Sequence, residues 1–269
     1  VYCREKTGEG GTMKIMWCGT ASLLLESGGT RLLVDPYLRP YDRTGAPFPA
    51  EEARTADAVF ITHPHIDHFC DAGAFSDRPV YVSARGIALA RRNGQNVSAM
   101  RELRAGECVA LGAFRVTAYR GRHCSFDAAT VFRVLFSPRT WLHFAGALRL
   151  LSEAKRYAIP ADEIFVLHFA DGEKSVVVLG SAGMAEGIAY PRGADLLVFP
   201  YQGRAGMHRY MRRFLRRFRP AAVMADHFDD AFPPVSRRVD PKKFPQAVKE
   251  RLPKAQALVP EMNVWYDVL

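Results

Sequence analysis

The sequence predicts an α/β fold built from two similar halves, and three features point to it. Short apolar runs rich in β-branched residues recur along the chain and stop at glycine, proline or aspartate, as buried strands do. Stretches of helical period follow the strands in both halves. Single histidines stand where three predicted strands give out, at His63, His123 and His227.

In chain order, residues 1–12 are polar, glycine-bearing and without periodicity, and are expected to be an added leader or an extended start. From Met13 onward a single domain is expected, to Leu269. Lys14–Trp17, Ser22–Glu26 and Arg31–Val34 are predicted strands, joined as a meander by turns at Cys18-Gly19-Thr20 and Ser27-Gly28-Gly29. Asp35-Pro36 closes the third, and local sequence gives the acid a turn-forming role. Pro49–Arg54 reads as a short helix, Ala58–Ile61 as a buried strand, Cys70–Phe75 as the start of a helix and Pro79–Val82 as a strand. Ser83–Arg92 reads as a helix with Ser83 as its N-cap. Strands follow at Cys108–Ala110 and Phe114–Ala118, the latter running out at Tyr119–His123.

Residues 125–160 break this rhythm. They are rich in Phe, Leu and Arg, read as helical from about Leu142 to Tyr157, and make an insertion that serves as a lid, a substrate wall or ordinary packing. The second half resumes with strands at Glu163–Ala170, Ser175–Leu179, Asp195–Phe199 and Ala221–Ala225. A helix over Met207–Phe218 sets Tyr210, Met211, Phe214, Leu215 and Phe218 against an arginine-rich face, the pattern of a surface helix packed on a sheet. Lys242–Arg251 is the last predicted helix, before a return to short strands.

Composition narrows the functional classes. Hydrophobic residues make up 48% and charged residues 24% of the 269, as in a globular protein, and no apolar stretch is long enough to span a bilayer. The five cysteines are odd in number and scattered, which argues against a disulfide framework and for a reducing, cytoplasmic setting. Cys124 beside His123 reads as a reduced bystander. A net charge of +9 favours anionic partners, from small acids and phosphates to nucleic acid or a membrane surface.

The chemistry is concentrated in Thr62-His63-Pro64-His65-Ile66-Asp67-His68-Phe69. His63, His65 and Asp67 fall at alternate positions, so an extended loop would turn them to one side, and Pro64 biases His63 towards that conformation. His68 must then point elsewhere, which suits two adjacent ions sharing one loop. Neutral imidazole and carboxylate suit Zn²⁺, with Mn²⁺, Fe²⁺ or Ni²⁺ as alternatives.

This His-x-His-x-Asp-His segment after a buried strand, with later single histidines at strand ends, resembles the metallo-β-lactamase superfamily. Trp17-Cys18-Gly19-Thr20-Ala21-Ser22 and Leu32-Leu33-Val34-Asp35-Pro36 further resemble its ascorbate-phosphate lactonase-like and phospholipase D-type branch. The resemblance implies a four-layer αβ/βα sandwich, two mixed β-sheets face to face with helices outside and one or two metal ions at one edge. It implies His63, His65 and His123 around a first ion, Asp67, His68 and His227 around a second, and Asp35 bracing the metal loop from behind. His143 and His168 receive no role. The family usually has a metal-bridging aspartate where this chain has Ser181, so a single tight ion, a pair without the bridging carboxylate, or a catalytically silent site are all consistent with the sequence. Tyr201, Arg204 and His208 are the candidates for substrate contact.

The expected activity is metal-assisted hydrolysis of an ester, lactone or phosphodiester in an anionic small molecule, with Asp67 orienting water and taking its proton. Two rivals stand beside it: a nuclease of the same fold acting on RNA or DNA, and a metal-binding protein without hydrolysis.

Overall fold

The computed structural model describes residues 12–38, 47–160, 163–233 and 236–269. The expected leader, but for Thr12, lies outside the described residues, as does Cys3. Two seven-stranded sheets form the centre, and both are mixed. The first contains β1 (Lys14–Gly19), β2 (Ser22–Ser27), β3 (Thr30–Val34), β4 (Ala58–Phe60), β5 (Val80–Val82) and β6 (Met100–Glu102). The second contains β7 (Cys108–Leu111), β8 (Phe114–Gly121), β9 (Ile164–Ala170), β10 (Ser175–Leu179), β11 (Leu196–Pro200), β12 (Ala222–Asp226) and β13 (Gln256–Leu258). The last strand, β14 (Trp265–Asp267), returns to the first sheet and pairs antiparallel with β1. In each sheet an antiparallel meander passes into parallel strands: β1 to β3 before β4 to β6, and β7 to β10 before β11 to β13. The expected pseudo-duplicated plan is therefore present as a repeated sheet topology.

The strands read as continuous apolar runs because both faces of each sheet are covered. In β1, Ile15 and Trp17 join the core between the sheets, while Met16 and Cys18 face the opposite side with Leu24, Leu33, Val59 and Ile61. Phe60 links the sheets edge-on to Phe169 at 5.8 Å between ring centres. The second sheet's outer face packs on the helical segment that carries Met211, Phe214, Leu215 and Phe218, all buried.

Several local expectations change. After α1 (Ala50–Ala53), residues Ile66–Phe69 form a helical turn, α2, and Ala72–Phe75 a 3-10 turn, where an extended loop and a longer helix were expected. Asp67 and His68 thus diverge because they are successive residues of a helical turn, about 100° apart, not because of strand alternation. The helix predicted at Ser83 is α3 (Ala84–Arg92), and Ser83 Oγ caps it by accepting the Gly86 N–H. β6 has too few apolar residues to be read as a strand. The insertion holds three helices, α4 (Ala128–Leu135), α5 (Pro138–Leu142) and α6 (Phe144–Arg156), of which only the last was expected. Pro138 starts α5 at a position where its missing N–H costs nothing. Ten of the exposed large apolar side chains belong to this segment, among them Phe132, Phe136, Trp141 and Leu142, so its periodicity does not mark a buried stripe. The Met207–Phe218 helix is divided at Met211 into α7 (Met207–Tyr210) and α8 (Arg212–Phe218), and the final helix is α9 (Phe244–Arg251).

The four cysteines among the described residues are free. No helix among them is long and apolar enough to cross a membrane.

Two glycines hold the rim together by size. A Cβ on Gly180 would lie 2.4 Å from Thr62 Cβ, and one on Gly183 would lie 1.9 Å from the Arg122 carbonyl oxygen. Gly183→Ala is expected to push the Arg122–His123 backbone aside and cost about 3 kcal/mol. Thermal unfolding compared with Gly187→Ala, where the added Cβ meets open space at a strained φ of +72°, separates crowding from backbone strain.

Candidate metal centre

The candidate residues meet where strands end. Asp35 follows β3, His63 follows β4, His123 follows β8, Ser181 follows β10 and His227 follows β12. Hydrogen bonds between the halves fix this rim: Phe165 N–H donates to Thr62 O at 2.8 Å, and His227 N–H donates to Thr20 O at 2.8 Å. Asp35 and His227 both adopt left-handed backbone conformations, with φ of 45° and 53°. Non-glycine residues are rarely held there without compensating contacts, and such strain concentrates at functional sites.

The histidines and Asp67 gather as two adjacent groups, His63 with His65 and His123, and Asp67 with His68 and His227. Within each group the candidate donor atoms lie within 4.8 Å of one another. His63 Nε2 and His65 Nδ1 are 3.1 Å apart, close to the spacing of about 3.4 Å for two nitrogens bound about 2.1 Å from one tetrahedral ion. The groups touch, since the His63 and His68 ring centres are 3.9 Å apart.

Backbone and side-chain partners fix the tautomers. His123 Nδ1 bonds to its neighbour's carbonyl, Cys124 O, at 2.8 Å, leaving Nε2 free. His68 Nδ1 bonds to Asp35 Oδ2 at 2.7 Å, so its Nε2 faces Asp67 Oδ2 at 3.8 Å. Asp35 also accepts from the Thr62 N–H at 2.7 Å and from the Thr62 hydroxyl. It is almost fully buried and braces Thr62 and His68 together, which is the bracing position that the resemblance implied.

The first group is neutral. Burial pushes the His63 pKa well below its ordinary value, helped by His68 and His65, and it pushes His65 down to about 4. Burial likewise lowers His123. Neutral imidazoles with free lone pairs converging at this spacing fit a divalent ion. In the second group His227 Nε2 meets Asp67 Oδ2 at 3.0 Å. Burial opposes both charges, yet the hydrogen bond and charge of Asp67 raise His227 to about 9, while His68 and His227 keep the Asp67 carboxyl well below its ordinary range. A carboxylate with two imidazoles suits the same ions, which must displace the His227 proton.

These shifts fix the pH dependence of the metal-free protein. The raised His227 pKa stabilises the fold fully below pH 6.5, and that contribution is lost as pH rises through about 9. The lowered values of His63 and His65 act oppositely: their stability is present above pH 6.5 and is lost on acidification towards about 4 for His65. Urea unfolding in a chelator should therefore give a stability maximum near pH 6.5–7. His227→Gln should flatten the alkaline limb and leave the acid limb in place.

A cavity of about 810 Å³ opens on the centre and is lined by His65, Asp67, His68, His123 and His227, with Ser181 on its wall. Ser181 Oγ accepts the Cys124 N–H at 3.0 Å. Two other buried acids nearby are not part of either donor group: Asp229 accepts from the Thr20 N–H at 3.0 Å, and Asp226 has its pKa raised to about 7 by desolvation.

Of the substrate-contact candidates, only Arg204 lines the cavity. It is bonded to Ser125 Oγ at 3.0 Å, lies 3.9 Å from Asp127 and stacks over the Tyr210 ring, so it anchors the start of the insertion. Tyr201 is a correction: it is 3% exposed and packs edge-on against Phe244, because the chain turns inward after β11. His208 is another: it sits on α7 near Lys243 and Arg209, outside the cavity lining. The sequence reading missed Thr62, Arg133, Arg237 and Arg238. The first is a hinge between Asp35 and both groups, and the arginines sit at the cavity mouth. Only the Arg237-Arg238 pair beside prolines offered a local signal.

Residues 14–133 match the model of the β-lactamase superfamily domain. The chain is 32% identical over 121 residues to a UPF0173 protein of Pyrococcus furiosus and 33% identical over 121 residues to a UPF0173 metal-dependent hydrolase of Azorhizobium caulinodans. These stretches cover 41% and 42% of this chain, and the chain spans about half the length of both relatives, 50% in each case. A UPF0173 metal-dependent hydrolase of Thermococcus kodakarensis is 24% identical over 242 residues, 89% of this chain and 93% of that one. Among solved structures, the metallo hydrolase Igni18 of Ignicoccus hospitalis aligns with a TM-score of 0.62 at 18% identity, covering 96% of this chain and 99% of that one. The metallo-β-lactamase fold protein YhfI of Bacillus subtilis aligns with a TM-score of 0.64 at 14% identity, covering 95% and 98%. The chain has the metallo-β-lactamase fold, and its residues 14–133 are similar to the β-lactamase superfamily domain.

Proposed function

We propose that the protein is a metal-dependent hydrolase acting on an ester, lactone or phosphodiester bond of an anionic small molecule. The observation that carries this reading is the pair of adjacent three-donor groups, of whose six residues all but His63 line one cavity. His63, His65 and His123 would hold one divalent ion, with Zn²⁺ suited to three neutral nitrogens, and Asp67, His68 and His227 a second. An ion bound there supplies Lewis acidity, making water more acidic and polarising the substrate oxygen. Asp67, held ionised by His68 and His227, offers its carboxylate oxygens to orient water and accept a proton at Oδ1 or Oδ2. Asp35 keeps the His68 ring aimed into the cavity through Nδ1. The segment 125–160 serves as a substrate wall of the single domain 13–269, since Phe126, Thr130 and Val134 border the cavity. The motifs around Trp17–Ser22 and Leu32–Pro36 support a place near the lactonase-like and phospholipase D-type branch.

Zinc- or manganese-reconstituted protein should turn over at least one member of a panel of 4-nitrophenyl esters, lactones and bis(4-nitrophenyl) phosphate. Silence on all of them with metal bound would favour a binding protein, the reading that Ser181 supports. Ser181 is also testable alone. Ser181→Asp should tighten the second ion about tenfold or more, by adding a carboxylate to a group that has only Asp67. Calorimetric metal titration should then show two tight sites where the parent shows one tight and one weaker; an unchanged isotherm would refute it.

A further inference from the structure

The mouth of the cavity is lined by side chains from two distant segments. Arg133 comes from α4, and Arg237 and Arg238 come from the loop that follows β12. Arg237 donates to Ser137 Oγ at 2.9 Å, and the Arg238 guanidinium lies 5.8 Å from the Phe228 ring centre, so both are held in place by neutral groups. Among the described residues no carboxylate forms an ion pair with these three arginines, whereas Arg204 on the same wall is close to Asp127. The cavity's other acid near them, Asp240, is paired with Lys242 at 3.5 Å. Three guanidinium groups without carboxylate partners at one mouth are a receptor for an anion.

The rest of the cavity lining is mostly apolar, with few polar groups such as Thr130, Gln202 and Ser236. Phe126, Val134, Phe232 and Val239 belong to it. A polyhydroxylated or polyanionic substrate would have to give up more hydration there than those few groups replace. An alkyl or aryl group would instead bury area favourably.

We propose that Arg133, Arg237 and Arg238 with this apolar surface select an amphipathic anion: a substrate with one phosphate, sulfate or carboxylate group and an acyl or aryl portion. This deepens the hydrolase reading by naming its substrate class, and rests on that reading only for the bond broken. It disfavours nucleic acid.

The metal-reconstituted protein is titrated calorimetrically with hexyl sulfate, inorganic sulfate and hexyl glucoside, the sulfates being weak metal ligands. Hexyl sulfate should bind at least tenfold tighter than either of the others, and Arg237→Gln/Arg238→Gln should weaken it at least tenfold with metal content unchanged. Arg237→Lys/Arg238→Lys, which keeps the charge, should recover part of the loss, and Arg133→Gln alone should show a smaller loss. Equal binding of hexyl sulfate by the parent and the glutamine variant, or of hexyl and inorganic sulfate by the parent, overturns the proposal. Arginine-dependent binding without turnover of any ester would sustain this recognition site and sink the hydrolase reading; turnover indifferent to the arginines would do the reverse.

Discussion

His63→Ala is expected to leave a folded protein that binds one ion fewer and hydrolyses its best ester about a thousandfold more slowly, or worse. The residue is 2% exposed, and its Nε2 lies 3.1 Å from His65 Nδ1, so its removal opens the first donor group from the inside. A site with only His65 and His123 has two donors, too few to hold a divalent ion against water. Lost Lewis-acid stabilisation is worth several kcal/mol, and each 1.36 kcal/mol is about tenfold in rate. Metal analysis after dialysis, beside the rate on 4-nitrophenyl substrates, reads both effects. His208→Ala is the matched control, since it removes the same ring outside the cavity and should change neither. A His63→Ala protein with parental metal content and rate would end the metal-centre assignment.

Asp35→Ala should have the largest effect on stability. One carboxylate there satisfies the Thr62 N–H, the Thr62 hydroxyl and His68 Nδ1, all buried. Its loss leaves three polar groups without their partner, and the expected cost is about 3–5 kcal/mol with a tenfold to hundredfold loss of affinity for the second ion. Asp35→Asn separates these effects. Its amide oxygen can still accept from Thr62, but its NH₂ faces a ring nitrogen that must donate for His68 Nε2 to be free, so metal affinity should fall more than stability. Urea unfolding and metal titration on both variants test this. Equal losses in the two would mean that Asp35 acts only through packing.

The core strands and the clustered candidate donors were legible in the chain because their signals are local. Buried strands such as Ala58–Phe60 leave an apolar run, Ser83 carries a capping hydroxyl, and three histidines with an acid inside a six-residue span just after a strand leave few alternatives to metal binding. The pairing of Asp67 with His68 and His227 was also expected, although the cause was misread: a helical turn at Ile66 separates the side chains where strand alternation had been assumed.

Other features depend on contacts between residues far apart in sequence, and no local pattern encodes those. Tyr201 and His208 looked polar and available beside a loop, but the turn after β11 buries one against Phe244 and sends the other to the outside of α7. Arg204 is close to Asp127, 77 positions away, and Arg237 meets Ser137, 100 positions away. Gly180 and Gly183 are small because the Thr62 side chain and the Arg122 backbone press on them from segments distant in sequence. The sequence by itself determined the α/β class and the cluster His63, His65, Asp67 and His68 after a strand, since strand periodicity and close spacing are written within a few residues. The place of Asp35 behind that cluster came only with the resemblance. Only the tertiary structure decided which arginines at the cavity mouth lack a carboxylate partner among the described residues, because a charge is spent or free according to what the fold sets beside it.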